Sequence, residues 1–260
     1  ISDLSSHELR KILEEAKIRK SKRKDLNKSA ADFKPPFAGK SMVMIFEKPS
    51  TRTRISFDIA AKQLGGSSII LNPDVIHYGK GDESIKDTAK VLSEYADIIM
   101  MRTSLHKNLT EFAKYSEIPV INGLSEQSHP CQIMSDILTI EEIKGNIKNK
   151  TIAWLGDGNN NMSNSFIEAS ARFGFKFNIG CPDKYKPNKN IIAWAKKNKA
   201  NIAITKNPGE AVKNADCVMT DKWVSMNDKV DKKKKKQILK SYQVNKKIMK
   251  LAKPDAIFMH

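Results

Sequence analysis

Cysteine is scarce in this sequence. Among its 260 residues only Cys131, Cys181 and Cys217 are cysteines, and no two of them form a C-x-x-C pair. Thiols so few and so far apart exclude a disulfide framework and a cysteine zinc site, and they are typical of a reducing compartment. We therefore expect no structural disulfide and no bound metal.

Long apolar runs are also absent. No stretch is long and apolar enough to cross a membrane, and the first residues show no signal-peptide pattern. The apolar fraction of 40% nevertheless allows a large core, in one domain or in two. We expect a globular cytoplasmic protein with no membrane partner, or a protein of the mitochondrial matrix if a transit peptide has been removed.

Arginine is rare, although the net charge is +17. Of the 46 basic residues, 39 are lysine and 7 are arginine, and the lysines are scattered along the chain. Nucleic-acid readers usually exploit the bidentate fork of arginine, so we expect no nucleic-acid partner. A basic nucleic-acid binder remains the alternative that the charge favours. We interpret the lysine run at 232–236 as a solvated helix face or loop.

Strand and helix patterns alternate along the chain, which predicts parallel sheets with helices on their faces. We predict an α/β fold of two similar-sized domains, 1–128 and 146–260, joined by an inter-domain helix at 129–145. The predicted strands are 42–46, 67–71, 97–101, 118–121, 151–155, 175–180, 201–205, 216–220 and 256–259. The predicted helices begin near residues 5, 50, 84, 109, 133, 161, 188, 208, 230 and 244.

The stretch at 47–54, Glu-Lys-Pro-Ser-Thr-Arg-Thr-Arg, follows a predicted strand and begins a predicted helix. A helix start carries unpaired N–H groups and the positive end of the helix dipole. Hydroxyls of Ser50, Thr51 and Thr53 and the guanidinium of Arg52 would complete a pocket for a phosphate dianion. An ordinary helix cap with solvated arginines is the alternative, but the full S-T-R-T-R after a strand and a proline favours the anion site.

Polar residues follow several other predicted strands in the same way. They are Ser50, Arg102, His129, Asn161 and Asp221. Because open α/β sheets bind ligands at the carboxyl ends of their strands, we expect these side chains to mark binding sites. The stretch Gly-Asp-Gly-Asn-Asn-Asn at 156–161 has Asn161 in place of the third glycine of a dinucleotide motif, so a nicotinamide-dependent dehydrogenase is a weak alternative.

Three stretches of the first half resemble the aspartate and ornithine carbamoyltransferases. Residues 46–54 are similar to the carbamoyl-phosphate signature of that family, 96–103 to its arginine-bearing strand, and His-Pro-Cys-Gln at 129–132 to its H-P-x-Q motif. The resemblance implies a carbamoyl-phosphate-binding first domain in which Arg52, Arg102 and His129 are catalytic. The carbamoyl-phosphate ligands that it implies are Ser50, Thr51, Arg52, Thr53, Arg102, His129 and Gln132. Cys131 lies at the variable position and is interpreted as a packing residue.

The second half resembles the ornithine branch of the family. Residues 156–162 are similar to its G-D-x-x-N-N-M segment, and Asp-Lys-Trp-Val-Ser-Met at 221–226 is similar to its D-x-W-x-S-M loop. The resemblance implies that Asn161 binds the carboxylate of ornithine and Asp221 its α-ammonium. Ser225 would bond near the amino group, and Met226 would contact the methylene chain. The family usually has glycine after the methionine, whereas this chain has Asn227.

The resemblance covers nearly the whole chain and implies an activity. The carbamoyl group of carbamoyl phosphate would pass to the δ-amine of L-ornithine, giving citrulline and phosphate in arginine metabolism. It implies no cofactor, no metal and a homotrimer. Another amine acceptor stays open, namely putrescine, an acylated ornithine or aspartate, although the charge of Asp221 argues against aspartate. In the family, the histidine that matches His260 precedes a cysteine, a later arginine and a helix, which either follow these residues in a longer chain or have been lost from this protein.

Overall fold

The computed structural model describes residues 1–72, 83–224 and 231–260. The chain divides into two compact units. We call Glu15–Cys131 the N-terminal unit, and Ile1–Glu14 together with Gln132–His260 the C-terminal unit. Each unit contains its own parallel sheet, which confirms the predicted class of two α/β domains. The boundaries at 128 and 145 that the sequence suggests stay a prediction.

Strands and helices alternate through the described residues as the sequence predicts. The elements are α1 (Ser6–Lys22), β1 (Ser41–Phe46), α2 (Thr51–Gln63), β2 (Ser67–Leu71), α3 (Ile85–Tyr95), β3 (Ile98–Arg102), α4 (His106–Tyr115), β4 (Val120–Leu124), α5 (Pro130–Lys144), β5 (Thr151–Leu155), α6 (Asn161–Phe173), β6 (Lys176–Gly180), α7 (Lys189–Lys197), β7 (Ile202–Thr205), α8 (Pro208–Val212), β8 (Cys217–Met219), α9 (Lys232–Leu239), α10 (Lys246–Met249) and β9 (Ile257–Met259), with 3₁₀ turns at Asp183–Tyr185 and Lys240–Tyr242. Within these ranges, no helix combines the length and the apolar character that crossing a membrane requires.

The first helix begins as predicted and ends later. The backbone N–H of Ser5 donates to Glu8 Oε2 at 2.8 Å, and the N–H of Glu8 donates to Ser5 Oγ at 3.2 Å, which is the predicted capping box. Helix α1 continues to Lys22, although the stretch from residue 19 reads as an irregular basic segment. Its last turns are stabilised because Arg19 pairs with Glu15 at 2.7 Å and with Asp32 at 2.7 Å.

The described sheet of the N-terminal unit has the strand order β2-β1-β3-β4, and all pairs are parallel. Strand β1 is apolar on both faces, since Val43 and Ile45 pack into one core cluster and Met44 packs into another. This burial on both faces explains its unbroken apolar sequence. The chain places β2 on one side of β1 and β3 on the other, so the strand order reverses between β1 and β3.

The described sheet of the C-terminal unit has the order β7-β6-β5-β8-β9, again parallel throughout. Its order reverses between β5 and β8. Aromatic rings fill the core on one face, where Phe166 stacks on Phe177 with centroids 5.5 Å apart and Trp154 lies 6.3 Å from Phe166. Leu9 and Leu13 of α1 are buried in the same core cluster.

Gly66 allows helix α2 to pass directly into strand β2. A Cβ atom at this position would lie 2.2 Å from Cδ1 of Phe37 and 2.7 Å from the carbonyl oxygen of Lys40. Both distances are shorter than any ordinary contact, and one of the atoms belongs to the backbone. The close packing of residues 37–40 on this junction therefore requires a residue without a side chain.

Replacing Gly66 by alanine is expected to lower the free energy of unfolding by about 1–3 kcal/mol, because the added methyl group displaces Phe37 and the Lys40 carbonyl. Urea denaturation of both proteins measures the difference. The matched control is Ser67→Ala, whose side chain is exposed and whose loss should change stability by less than about 0.5 kcal/mol. Equal midpoints for Gly66→Ala and Ser67→Ala would contradict the packing argument.

Candidate functional site

Several of the predicted site residues lie at or after the ends of the strands that flank the reversal of order in each sheet. In the N-terminal unit, β1 and β3 end side by side with Phe46 paired to Arg102, and Ser50 comes four residues after Phe46. In the C-terminal unit, β5 and β8 are neighbours, and Asn161 and Asp221 follow their carboxyl ends. Such reversals leave a crevice at the carboxyl edge of an open sheet, which is where ligands bind.

The first turn of α2 presents backbone N–H groups that its cap residue leaves open. Ser50 is the N-cap, with extended backbone angles of φ −153° and ψ 116°. Its side chain makes no capping hydrogen bond among the described residues. The N–H groups of the first turn and the positive end of the helix dipole therefore favour an anion.

Arg102 is directed toward the first turn of α2. Its Nη1 donates a hydrogen bond to Oγ1 of Thr53 at 2.9 Å, while the backbone N–H of Glu47 donates to the carbonyl oxygen of Arg102 at 3.0 Å. The structure thus brings together Thr53 and Arg102, two of the residues predicted to bind carbamoyl phosphate.

A β-bulge lies beside Arg102. Met101 pairs with Asn122, but Arg102 pairs with Leu124, so Gly123 is an extra residue in β4. A Cβ on Gly123 would lie 2.3 Å from Sδ of Met100, and glycine therefore permits the bulge. The bulge bends β4 where it lies beside Arg102, the last residue of β3.

The residues around Arg102 are electropositive. Burial and the neighbouring charge of Arg52 lower the pKa of Arg102 from its ordinary value. Nε of Arg102 is buried and has no hydrogen-bond partner in the described part of the chain. The charge of Arg52 therefore disfavours the charged form of Arg102, and a dianion bound beside both guanidinium groups would stabilise it.

Arg54, the other arginine of the signature, has a structural role. Its Nη2 donates to Oδ1 of Asn72, and its guanidinium lies 5.2 Å from the ring centroid of Phe46. These contacts hold Arg54 against strand β1 and the chain after β2. Arg52 is exposed and is therefore the better candidate for the phosphate ligand, as the sequence predicts.

His129 is positioned by a compact turn between β4 and α5. The N–H of Ser125 donates to the carbonyl oxygen of Ser128 at 2.9 Å, and Nδ2 of Asn122 donates to Oγ of Ser128 at 2.9 Å. Pro130 is the first residue of α5, which leaves His129 immediately before the helix. Burial, with the Arg102 charge, lowers the pKa of His129 to about 4, so its imidazole is neutral at physiological pH.

The cysteines show no reactive character. Burial raises the pKa of Cys131 to about 11, of Cys181 to about 11 and of Cys217 to about 12. Thiols with such values stay protonated at neutral pH and are poor nucleophiles. This supports the packing role predicted for Cys131. Among the described residues, no group of three or more histidine, cysteine or carboxylate side chains is arranged to hold a metal ion.

In the C-terminal unit, Asn160 and Asn161 have different positions. Asn160 is the N-cap of α6, since its Oδ1 accepts the N–H of Ser163 at 2.9 Å and its Nδ2 donates to the carbonyl oxygen of Asp157 at 2.9 Å. Asn161 is the first residue of the helix. Both ends of the Asn160 amide are used in this cap, whereas the assignment of Asn161 to the substrate carboxylate stays a prediction.

Asp221 lies two residues after β8, which is one of the two strands between which the strand order reverses. Its Oδ1 accepts the backbone N–H of Lys222 at 2.7 Å. The preceding Thr220 donates from Oγ1 to the carbonyl oxygen of Leu155 at 2.8 Å, which ties the ends of β8 and β5 together. Ser225 and Met226, the other predicted ornithine ligands, lie outside the described residues.

Gln132 has a partner that the motif does not show. Its Nε2 donates to Oδ1 of Asp136 at 2.9 Å, which leaves the amide oxygen to accept an N–H from a ligand. Burial raises the pKa of Asp136 to about 6, and the charge of Asp221 adds to the shift. The sequence signal was available, because Gln132 and Asp136 are four residues apart on one face of a helix.

Comparisons with known proteins agree with this geometry. The family model "Aspartate/ornithine carbamoyltransferase, carbamoyl-P binding domain" matches residues 1–142, and the "Asp/Orn binding domain" of the same family matches residues 148–260. A protein of Rhodopseudomonas palustris named ornithine carbamoyltransferase is 51% identical over 260 residues, which are 100% of this chain and 82% of the relative. A Brucella ovis protein of the same name is 48% identical, over 100% of this chain and 81% of the relative.

Solved structures give the same result. The ornithine carbamoyltransferase of Pyrococcus furiosus has a TM-score of 0.92 and 40% identity, covering 100% of this chain and 82% of that one. The anabolic ornithine carbamoyltransferase of Campylobacter jejuni has a TM-score of 0.88 and 36% identity, covering 100% of this chain and 83% of that one.

The imidazole of His129 is expected to titrate near pH 4, because burial and the Arg102 charge both disfavour its protonated form. Since the folded-state pKa is lowered, the unfolded chain binds the proton more tightly. Stability linked to His129 is therefore complete above about pH 6.5 and falls as the pH decreases toward 4. Histidine Cε1–Hε1 NMR spectra, assigned with His129→Asn, measure the titration, and Arg102→Gln should raise the pKa. An inflection at pH 6.5 in the unaltered protein would refute the assignment.

Proposed function

The chain belongs to the aspartate/ornithine carbamoyltransferase family, and we propose that it transfers the carbamoyl group of carbamoyl phosphate to the δ-amine of L-ornithine, giving L-citrulline and phosphate. The observation that carries this proposal is the electropositive first turn of α2, where Arg102 is hydrogen-bonded to Thr53 beside Arg52. The relatives of about 50% identity named ornithine carbamoyltransferase support the choice of acceptor.

Carbamoyl phosphate is bound through its phosphate at the start of α2. The backbone N–H groups of the first turn and the hydroxyls of Ser50, Thr51 and Thr53 donate to the phosphate oxygens, and the Arg52 guanidinium balances the charge. A doubly charged phosphate has enough acceptor oxygens for these donors and enough charge for the guanidinium. The uncapped geometry of Ser50 supports this arrangement, because its hydroxyl is not used by the helix.

The carbamoyl group is held at its two ends. Arg102 and the neutral imidazole of His129 donate to the carbonyl oxygen, and the amide oxygen of Gln132 accepts an N–H of the carbamoyl nitrogen. The lowered pKa of His129 suits this role, since a neutral ring keeps one N–H to donate and adds no charge beside Arg102. The bond to Asp136 supports the orientation of Gln132 that the carbamoyl nitrogen requires.

Ornithine is bound by the residues that follow β5 and β8. Asn161 holds its carboxylate, and Asp221 pairs with its α-ammonium. Ser225 and Met226 complete the contacts to the amino group and the methylene chain. The anionic side chain binds the ammonium and the amide binds the carboxylate, so the two residues together recognise both charged groups of an α-amino acid.

The reaction is an attack of the neutral δ-amine on the carbonyl carbon. A C–N bond forms, and negative charge develops on the carbonyl oxygen, where Arg102 and His129 stabilise it. The C–O bond to phosphate then breaks, and a proton of the amine leaves with the phosphate as HPO₄²⁻. Arg52 and the start of α2 stabilise this leaving group. The rate enhancement comes from positioning and electrostatic stabilisation by these residues.

The finer features of the proposal come from the family. We propose that the enzyme works in arginine biosynthesis in the cytoplasm, as a homotrimer with its sites at subunit contacts. Light scattering of the purified protein measures the oligomeric state independently of activity.

Replacing Arg52 by alanine is expected to abolish citrulline formation, because the phosphate loses its main cationic ligand in both the bound and the leaving state. A colorimetric citrulline assay measures turnover, and phosphate release reports turnover with other acceptors. The matched control is Lys62→Ala, which removes one positive charge from the last turn of the same helix and should leave activity unchanged. Normal turnover by Arg52→Ala with any acceptor would refute the phosphate assignment.

Two substrate analogues separate the roles of Asp221 and Asn161. Asp221→Asn is expected to raise the KM for ornithine about ten- to hundredfold, since a charged hydrogen bond is lost, but not the KM for 5-aminovalerate, which lacks the α-amino group. Asn161→Ala should raise the KM for ornithine by a similar factor and leave unchanged the KM for putrescine, which lacks the carboxylate. Steady-state kinetics at saturating carbamoyl phosphate measure each KM. Equal penalties on ornithine and on the matched analogue would contradict the assignment.

A further inference from the structure

The lysine run at 232–236 contains one residue that differs from the others. Lys232, Lys233, Lys234 and Lys236 are exposed, as a solvated helix face predicts, but Lys235 is only 4% exposed. Lysine is almost never buried to this degree unless its charge is paired. The solvated interpretation of the run is therefore wrong for Lys235, whose burial requires an explanation of its own.

Lys235 is paired with an acidic residue far away in the sequence. Its Nζ donates to Oδ2 of Asp157 at 2.6 Å, across 78 residues of chain. The ammonium also lies 5.1 Å from the ring centroid of Tyr185, and Asp157 is only 8% exposed. An ion pair shielded from water in this way is strongly coupled, because removal of either partner leaves an uncompensated buried charge.

Asp157 organises the loop between β5 and α6. Its Oδ1 accepts the N–H of Asn159 at 2.8 Å, and its carbonyl oxygen accepts Nε1 of Trp154 at 3.0 Å and Nδ2 of Asn160 at 2.9 Å. Asn160 is the cap of α6, so the bonds of Asp157 determine where that helix begins. Asn161, the proposed carboxylate ligand, is its first residue.

We propose that Lys235 is a positioning residue for the amino-acid substrate, acting through Asp157 on the loop that presents Asn161. The inference rests on the proposed function and extends it to a residue outside the family motifs quoted above. The ion pair connects α9 with the loop after β5, which begins at Gly156 and leads to the cap of α6. Within the ranges that the structure describes, the exposed side chains of Lys234 and Lys236 form no such ion pair.

Lys235→Met is expected to raise the KM for ornithine about tenfold or more, because the loop between β5 and α6 that presents Asn161 is displaced. The KM for carbamoyl phosphate should stay within twofold, since this loop does not bind it. The matched control, Lys236→Met, removes the same charge from an exposed neighbour and should behave like the unaltered enzyme. The indole N–H of Trp154 gives a signal independent of turnover. Its NMR resonance, assigned among three tryptophans with Trp154→Phe, should shift in Lys235→Met and not in the control.

A second variant deals with the case in which Lys235→Met does not fold. The double variant Lys235→Met/Asp157→Asn removes both charges and keeps an oxygen that can accept the Asn159 N–H. It should regain thermal stability and still show the raised KM for ornithine. A normal KM for ornithine in either folded variant, or equal increases for both substrates, would overturn the proposal. If the unaltered protein makes no citrulline, the proposed function fails, and the Trp154 resonance still decides whether Lys235 positions the loop.

Discussion

Positive charge collected at the first turn of α2 is the constraint around which the N-terminal unit is arranged. Arg52, Arg102 and the positive end of the helix dipole are unfavourable neighbours, and the Arg102–Thr53 hydrogen bond joins the end of β3 to the first turn of α2. An arrangement of this kind gains its stability when a dianion binds. Burial, with the charge of Arg102, keeps His129 neutral, so the imidazole beside this cationic site can donate a hydrogen bond to the carbonyl oxygen without adding a further charge.

The two sheets position their predicted ligand-binding residues in the same way. Each reverses its strand order once among the described strands, and each places polar residues directly after the strands on either side of that reversal. One reversal carries cationic groups and the other carries an amide and a carboxylate. The first suits a phosphate compound and the second suits an amino acid, which matches the two substrates of the family.

Much of the fold was predictable because its signals are local. The apolar runs of β1 and β5, the capping box at Ser5 and the alternation of elements all follow from neighbouring residues. The prediction of β4 was less accurate, since the strand runs Val120–Leu124 and not 118–121. Asn122-Gly123 has the composition of a turn, yet Asn122 pairs with Met101 and the strand continues past the bulge to Leu124. Asp136 and Lys235 were missed for a related reason: their importance lies in a partner, and for Lys235 that partner is distant in the sequence.

The orientation of the Gln132 amide has a consequence for substrate choice. Because Asp136 accepts from the nitrogen end, the oxygen end faces the ligand and needs a proton donor there. Acetyl phosphate has nearly the shape of carbamoyl phosphate, but its methyl group has no proton to donate to that oxygen. In the proposed site it would leave the Gln132 amide oxygen without a donor, and the loss of a hydrogen bond discriminates more strongly than a difference in size. One carboxylate on α5 would thereby exclude acyl phosphates of similar shape.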